Sequence, residues 1–161
     1  MNFNNYKLIP YSDDYNNEVI NFIDTGYKSI GYSHLELDTL DIDLTEITKN
    51  YSAPSCFLLL LDGEKLIGTC AVKIYPEKKE SELKRVFIDP EYRGQGLGKE
   101  LSEWAFDYAK GQGAELMHIW SGTYCKTAHK LYKQLGAKDI GVMRHIGGVD
   151  NCYERYFIKE L

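Results

Sequence analysis

Apolar residues recur along this chain with two different periods, and the alternation between them marks out the elements. Tyr6 to Pro10 reads as a first strand. Ser12-Asp13-Asp14 follows as an N-cap with first-turn acids, opening a helix that carries Tyr15, Val19, Phe22, Ile23 and Tyr27 on one face. A short second helix is expected over about Leu44 to Tyr51. The run Cys56-Phe-Leu-Leu-Leu-Leu61, a turn at Asp62-Gly63, and Lys65 to Ile74 together predict a β-hairpin. Ser81 to Ile88 predicts another strand, closed by Asp89-Pro90. A long helix then carries Leu97, Leu101, Trp104, Ala105 and Tyr108 at i, i+4, i+7, i+8 and i+11, and Gly111 and Gly113 end it. Leu116 to Trp120 is a strand, Thr123 to Leu135 a helix, and Gly136 stands where a helix ends in a left-handed residue. Two last strands, Asp139 to Ile146 and Cys152 to Ile158, flank the loop 147–151. The order β-α-α-β-β-β-α-β-α-β-β describes an α/β (α+β) chain: a mixed sheet with helices on both faces.

No repeat, low-complexity tract or linker interrupts this order, so residues 1–161 are expected to form one domain. With 43% hydrophobic and 27% charged residues, the composition is that of a folded, soluble chain. No apolar run approaches the ~20 residues that span a bilayer, and the start MNFNNYKLIP lacks the basic and apolar regions of a signal peptide. A net charge of −5 argues against nucleic acid, whose binding rests on phosphate neutralisation. Cys56, Cys70, Cys125 and Cys152 form no C-x-x-C pair, and His129 at i+4 from Cys125 has no second ligand pair to complete a zinc site. The expectation is reduced thiols, no metal, no membrane and a cytoplasmic setting.

The chemistry is concentrated in Val86-Phe-Ile-Asp-Pro-Glu-Tyr-Arg-Gly-Gln-Gly-Leu-Gly-Lys99. A strand enters a loop with Gly94, Gly96 and Gly98, and the loop opens directly into a helix. Glycines let successive backbone N–H groups face one centre, and the helix start adds orphan donors and the positive dipole end. Arg93 and Lys99 add flanking cations. This is an anion cradle. A dinucleotide fingerprint fails, because the position that needs glycine holds Lys99. A Walker A loop fails too, with Arg93 and Glu100 at its required positions.

Arg93-x-x-Gly96-x-Gly98 after a strand ending in Asp89-Pro90 resembles motif A of the GNAT superfamily of acyl-CoA-dependent N-acetyltransferases. Ala128-His-Lys-Leu-Tyr132-Lys-Gln-Leu-Gly136-Ala resembles the family's A-x-x-L-Y-x-x-x-G-F helix. The resemblance implies a seven-stranded, mostly antiparallel sheet with a splayed parallel pair and about four helices. It implies acetyl-CoA as co-substrate, with the pyrophosphate on the amides of Gly94, Gln95, Gly96, Leu97, Gly98 and Lys99. The pantetheine would pair with Val86, Phe87 and Ile88, and an N–H of that strand would polarise the acyl carbonyl.

The resemblance also assigns Tyr132 as the proton donor to the departing thiolate, since a phenol stays protonated at neutral pH. Glu82 occupies the position of a glutamate base in one branch of the family. Strand alternation puts it on a face with Lys84, Val86 and Ile88. Cys125 stands where the family commonly has an asparagine that hydrogen-bonds the coenzyme, and Ser121 or Thr123 is a candidate substitute.

The acceptor reading stays open. The stretch 34–48 holds Glu36, Asp38, Asp41, Asp43 and Glu46 with no Lys or Arg, a field for a polyamine, an aminoglycoside or a lysine side chain, or merely a solvated loop. Arg144 and Arg155 on the last strands suit an amino-acid carboxylate instead. The expected activity is acetyl transfer to a small-molecule primary amine, by a monomer or homodimer. The alternatives are an acyl-CoA-binding module without turnover and a protein or peptide N-acetyltransferase.

Overall fold

The computed structural model describes residues 2–3 and 5–161. The described strands form one sheet in the order β1-β2-β3-β4-β5-β6-β8-β7. They are β1 (Asn2–Phe3), β2 (Tyr6–Pro10), β3 (Cys56–Asp62), β4 (Lys65–Tyr75), β5 (Glu80–Ile88), β6 (Leu116–Gly122), β7 (Lys138–Gly147) and β8 (Cys152–Glu160). Seven of them are the expected strands. The two-residue β1, paired with β2 at the sheet edge, adds an eighth. All pairs are antiparallel except β5 with β6. The helices are α1 (Asn16–Lys28), α2 (Ile47–Asn50), α3 (Leu97–Gly111) and α4 (Lys126–Gln134).

Two apolar clusters, one on each face, explain why β3 and β4 read as nearly continuous hydrophobic runs. Val19, Ile23, Leu44 and Ile47 cover one face with Phe57, Leu59 and Ala71. Leu97, Leu101, Ala105 and Ala109 of α3 cover the other, with Leu58, Leu60, Cys70 and Val72. Strands buried on both sides need apolar residues at every position.

Helix starts depart from the expected caps. Ser12 makes no side-chain cap; its carbonyl accepts from Tyr15 N–H at 3.0 Å, closing a 3₁₀ turn, and α1 begins at Asn16. The second helix shrinks to a 3₁₀ turn at Ile42–Leu44 and a single α turn. The last helix begins at Lys126, with Cys125 in the N-cap position.

One feature of β5 sets the geometry of the sheet's centre. Its parallel pairing with β6 runs from Glu80↔Leu116 to Leu83↔Ile119 and then ceases, although both strands continue. At the same level the β4–β5 register shifts between Thr69 and Ala71. Arg85 is the inserted residue, held at φ 54° in the left-handed region. Thr69 Oγ1 donates to the Arg85 carbonyl at 2.8 Å, compensating the interrupted ladder. A bulge bends its strand and increases local twist. Here it turns the end of β5 away from β6 and opens a slot between them.

The bulge also corrects the alternation expected of β5. Val86 and Ile88 pack with Leu83 on the α3 face, and Phe87 packs with the α1 cluster. Glu82 therefore does not share a face with Val86 and Ile88, because one extra residue inverts the parity of everything beyond it.

Candidate active site

The slot leads into a cavity of about 230 Å³ lined on the β5 side by Leu83 to Phe87 and on the β6 side by Trp120, Ser121 and Gly122. Cys125, Ala128 and Tyr132 close its α4 side. Of the predicted site residues, Val86, Phe87, Cys125 and Tyr132 thus meet in one space. Ile88 lines a smaller, mainly apolar cavity beside it, with Phe87 shared between the two.

Tyr132 is 6% exposed and packs edge-on to Phe157. Among the described residues its hydroxyl has no hydrogen-bond partner. Burial, reinforced by the thiols of Cys125 and Cys70, pushes its pKa well above the ordinary phenol value. A neutral O–H facing a cavity, with no protein acceptor, is free to donate to a bound group.

The glycine turn stands at the open end of β5. Gly94 and Gly96 sit at φ 80° and 87°, where a side chain is strained, and Gly96 is the N-cap position of α3 without a side-chain cap. The first α-helical hydrogen bond runs from Glu100 N–H to the Gly96 carbonyl. The N–H groups of Gly96, Leu97, Gly98 and Lys99 thus precede the ladder, as the orphan donors of a helix start do. Gly98 lies against α4, where a Cβ would make an ordinary 3.7 Å contact with Leu131.

The two flanking cations behave differently from the expectation. Arg93 Nε donates to the Ile88 carbonyl at 3.0 Å and Nη2 to Ser29 Oγ at 2.8 Å, so its guanidinium ties the end of β5 to the end of α1. Lys99 is exposed and lies 3.8 Å from Glu103. Gln95 accepts from the Tyr6 hydroxyl. The side chains around the glycine turn are thus tied to neighbouring elements or to solvent, and its centre presents backbone.

Glu82 lies outside the cavity. Its carboxylate accepts from Tyr75 Oη at 3.0 Å and faces Lys84 at 3.5 Å. Cys125 does line the cavity, and burial raises its thiol pKa. The neighbouring Ser121 hydroxyl is engaged with His129 Nε2 at 3.1 Å. His118 binds Tyr156 Oη and Glu80, and Arg155 binds Asp139; neither lines the cavity.

What sequence reasoning missed is the wall facing α1. Arg85, with 7% of its side chain exposed, donates to Asp41 at 2.7 Å, to Tyr27 Oη at 3.1 Å and through Nε and Nη2 to Asp43. Burial pushes the Asp43 carboxyl up, but the Arg85 guanidinium and the Tyr51 hydroxyl outweigh it and hold the pKa below the ordinary value. A roof crosses the cavity as well. Asp150 accepts from Ser33 N and Oγ at 2.8 and 2.6 Å, and Glu36 accepts from Val149 N–H at 2.8 Å. These bonds pin the β7–β8 loop to the α1–α2 loop. The charged run around Arg85 and the acids at 36–43 were visible in sequence, but not that they neutralise one another.

The fold as a whole recurs in known proteins. The structure superposes on an acetyltransferase of the GNAT family from Staphylococcus aureus Mu50 with a TM-score of 0.83, 23% identity, and 97% and 99% of the two chains covered. A Salmonella typhimurium protein solved with its cofactor acetyl-CoA gives a TM-score of 0.72 at 14% identity over 98% of this chain and 94% of that one. In sequence, the N-acetylaspartate synthetase of Xenopus tropicalis is 31% identical over 137 residues, which is 82% of this chain and 50% of that protein. The chain spans about half the length of that curated relative. The model of the acetyltransferase (GNAT) family matches residues 18–137. With both family motifs inside that span, this chain belongs to the GNAT acetyltransferase family.

Proposed function

We propose that this protein transfers an acetyl group from acetyl-CoA to the primary amine of a small molecule. The observation that carries the reading is the slot itself: an open parallel pair, an uncapped helix start at one end and an unpartnered phenol at the other. The pyrophosphate would rest on the amides from Gly94 to Lys99. The pantetheine would run along Val86 to Ile88, where β5 has no β6 partner. An N–H beside the bulge would polarise the acyl carbonyl. The amine lone pair attacks the carbonyl carbon, the C–S bond breaks, and Tyr132 delivers a proton to sulfur.

Two features favour a small acceptor over a protein. The roof bonds from Asp150 to Ser33 and from Val149 to Glu36 close the groove that an extended peptide would enter. The acids proposed to draw in a polycation are also largely consumed: Asp41 and Asp43 pair with Arg85, and Glu36 caps the roof. That leaves amino acids ahead of polyamines, in keeping with the aspartate in the relative's name.

The test is thiol release from acetyl-CoA across amino acids, polyamines, aminoglycosides and peptides, with Tyr132→Phe alongside. Turnover on a small amine that falls in the variant supports the reading. Calorimetric binding of acetyl-CoA without turnover on any amine replaces it with a binding module, the role for which Cys125 in the asparagine position speaks.

A further inference from the structure

The cavity holds four carboxylates and three strong cations, and nearly all are spoken for. Asp41 gives one oxygen to Arg85 and Tyr27 and the other to Glu36 N–H. Asp150 gives both oxygens to Ser33. Glu36 gives one to Val149 N–H and one to Thr39. Arg85 has all three of its nitrogens engaged, and Lys84 faces Glu82.

Arg144 and Glu154 differ. Nε and Nη2 of Arg144 converge on a single oxygen, Glu154 Oε2, at 2.7 and 2.6 Å. Among the described residues, Glu154 Oε1 and Arg144 Nη1 have no hydrogen bond. The guanidinium lies 4.1 Å over the Trp120 ring. Both side chains line the cavity, 46% and 20% exposed. Register fixes the place: Glu154 stands opposite Gly122 of β6, in the segment that β5 has left, and opposite Arg144 of β7.

We infer that the Arg144–Glu154 pair is the receptor for an α-amino acid acceptor, whose carboxylate takes Arg144 and whose ammonium takes Glu154. The inference rests on the acetyltransferase reading above. A zwitterion is the charge image of this pair. Its carboxylate meets a planar fork with a spare donor, and its ammonium meets a carboxylate with a spare oxygen. Exchange of partners leaves no charge unpaired, whereas a polycation would strand Arg144. The pair then does chemical work. Glu154 accepts one proton from the ammonium, leaving the amine lone pair free. As C–N forms and C–S breaks, nitrogen sheds its second proton, which restores the one Tyr132 gives to sulfur. The products are the N-acetyl amino acid and the free thiol, with one net proton released through Glu154.

The test compares free L-amino acids with their α-amides and with spermidine on the full chain at saturating acetyl-CoA. At least one amino acid should exceed its amide in kcat/KM by about tenfold or more. Arg144→Gln should abolish that preference by raising KM for the acid but not for the amide; Arg144→Lys, which keeps the charge without the fork, should fall between. Glu154→Gln should lower kcat by about 100-fold. Calorimetry of the amino acid on the CoA-loaded protein should show its binding weakened by Arg144→Gln, with CoA affinity and thermal midpoint confirming intact folding. Amides or spermidine used as well as free acids, or Arg144→Gln acting equally on acid and amide, overturns the inference and leaves the acetyltransferase reading intact. Acetyl-CoA binding with no amine acetylated overturns both.

Discussion

Asp43→Asn removes one carboxylate from the buried cluster at the bulge and leaves its shape. In the native protein Asp43 takes Nε and Nη2 of Arg85 and the Tyr51 hydroxyl, and the Arg85 and Asp43 side chains are 7% and 16% exposed. Breaking a buried pair costs about 3–5 kcal/mol, because the surviving charge stays out of water. Asp41 still holds Arg85 at 2.7 Å, so the lower end, about 3 kcal/mol, is expected. For a chain of this size that lowers the thermal midpoint by about 6–12 °C. Circular dichroism melts and urea midpoints at constant m measure it. Acid stability supplies an independent check. The folded pKa of Asp43 is depressed, so its contribution is full above the unfolded value of about 4 and is lost as pH falls through the lower folded value. The Asp43→Asn variant should therefore show a flatter acid limb in its stability profile. Replacing Arg85, Asp41 and Asp43 together by apolar residues should cost less than the single change, since no lone charge remains buried. A single-variant loss below about 1 kcal/mol, or a triple variant that falls further than the single, refutes the claim that Asp43 compensates a desolvated guanidinium.

Other outcomes follow from the same geometry. Tyr132→Phe should lower kcat by about 100-fold with acetyl-CoA affinity retained, and it should barely alter the melting temperature, because the hydroxyl has no protein partner among the described residues. Gly96→Ala forces a Cβ onto φ 87° and should cost about 1–2 kcal/mol of stability while weakening CoA binding measured by calorimetry. Lys99→Ala should change that affinity by less than about threefold, its ammonium being exposed beside Glu103. Glu82→Gln should leave kcat/KM within about threefold, since its carboxylate is turned to Tyr75 and Lys84; a loss of about 100-fold would return it to the chemistry.

The elements and the glycine turn were legible in the chain because their causes are local. A helical stripe from Leu97 to Tyr108, an unbroken apolar run at 57–61, and Gly94 and Gly96 before a helix each follow from one segment's own chemistry. The Tyr132 motif could be matched for the same reason. The bulge at Arg85 could not be read, because a left-handed arginine has no sequence signature; it is imposed by the fit of β5 between β4 and β6. That single insertion decided which face Glu82 took and removed it from the cavity. The acids at 36–43 were visible as charge but not as charge already partnered, since Arg85 reaches Asp41 and Asp43, and the Val149 N–H reaches Glu36, from other elements. The pairing of Arg144 with Glu154 likewise exists only once β7 and β8 are in register. Local sequence thus determined strands, helices and the glycine-led helix start with its orphan amides. Long-range packing alone decided where the slot opens and which charges remain available inside it, because electrostatic partnership depends on distance in space.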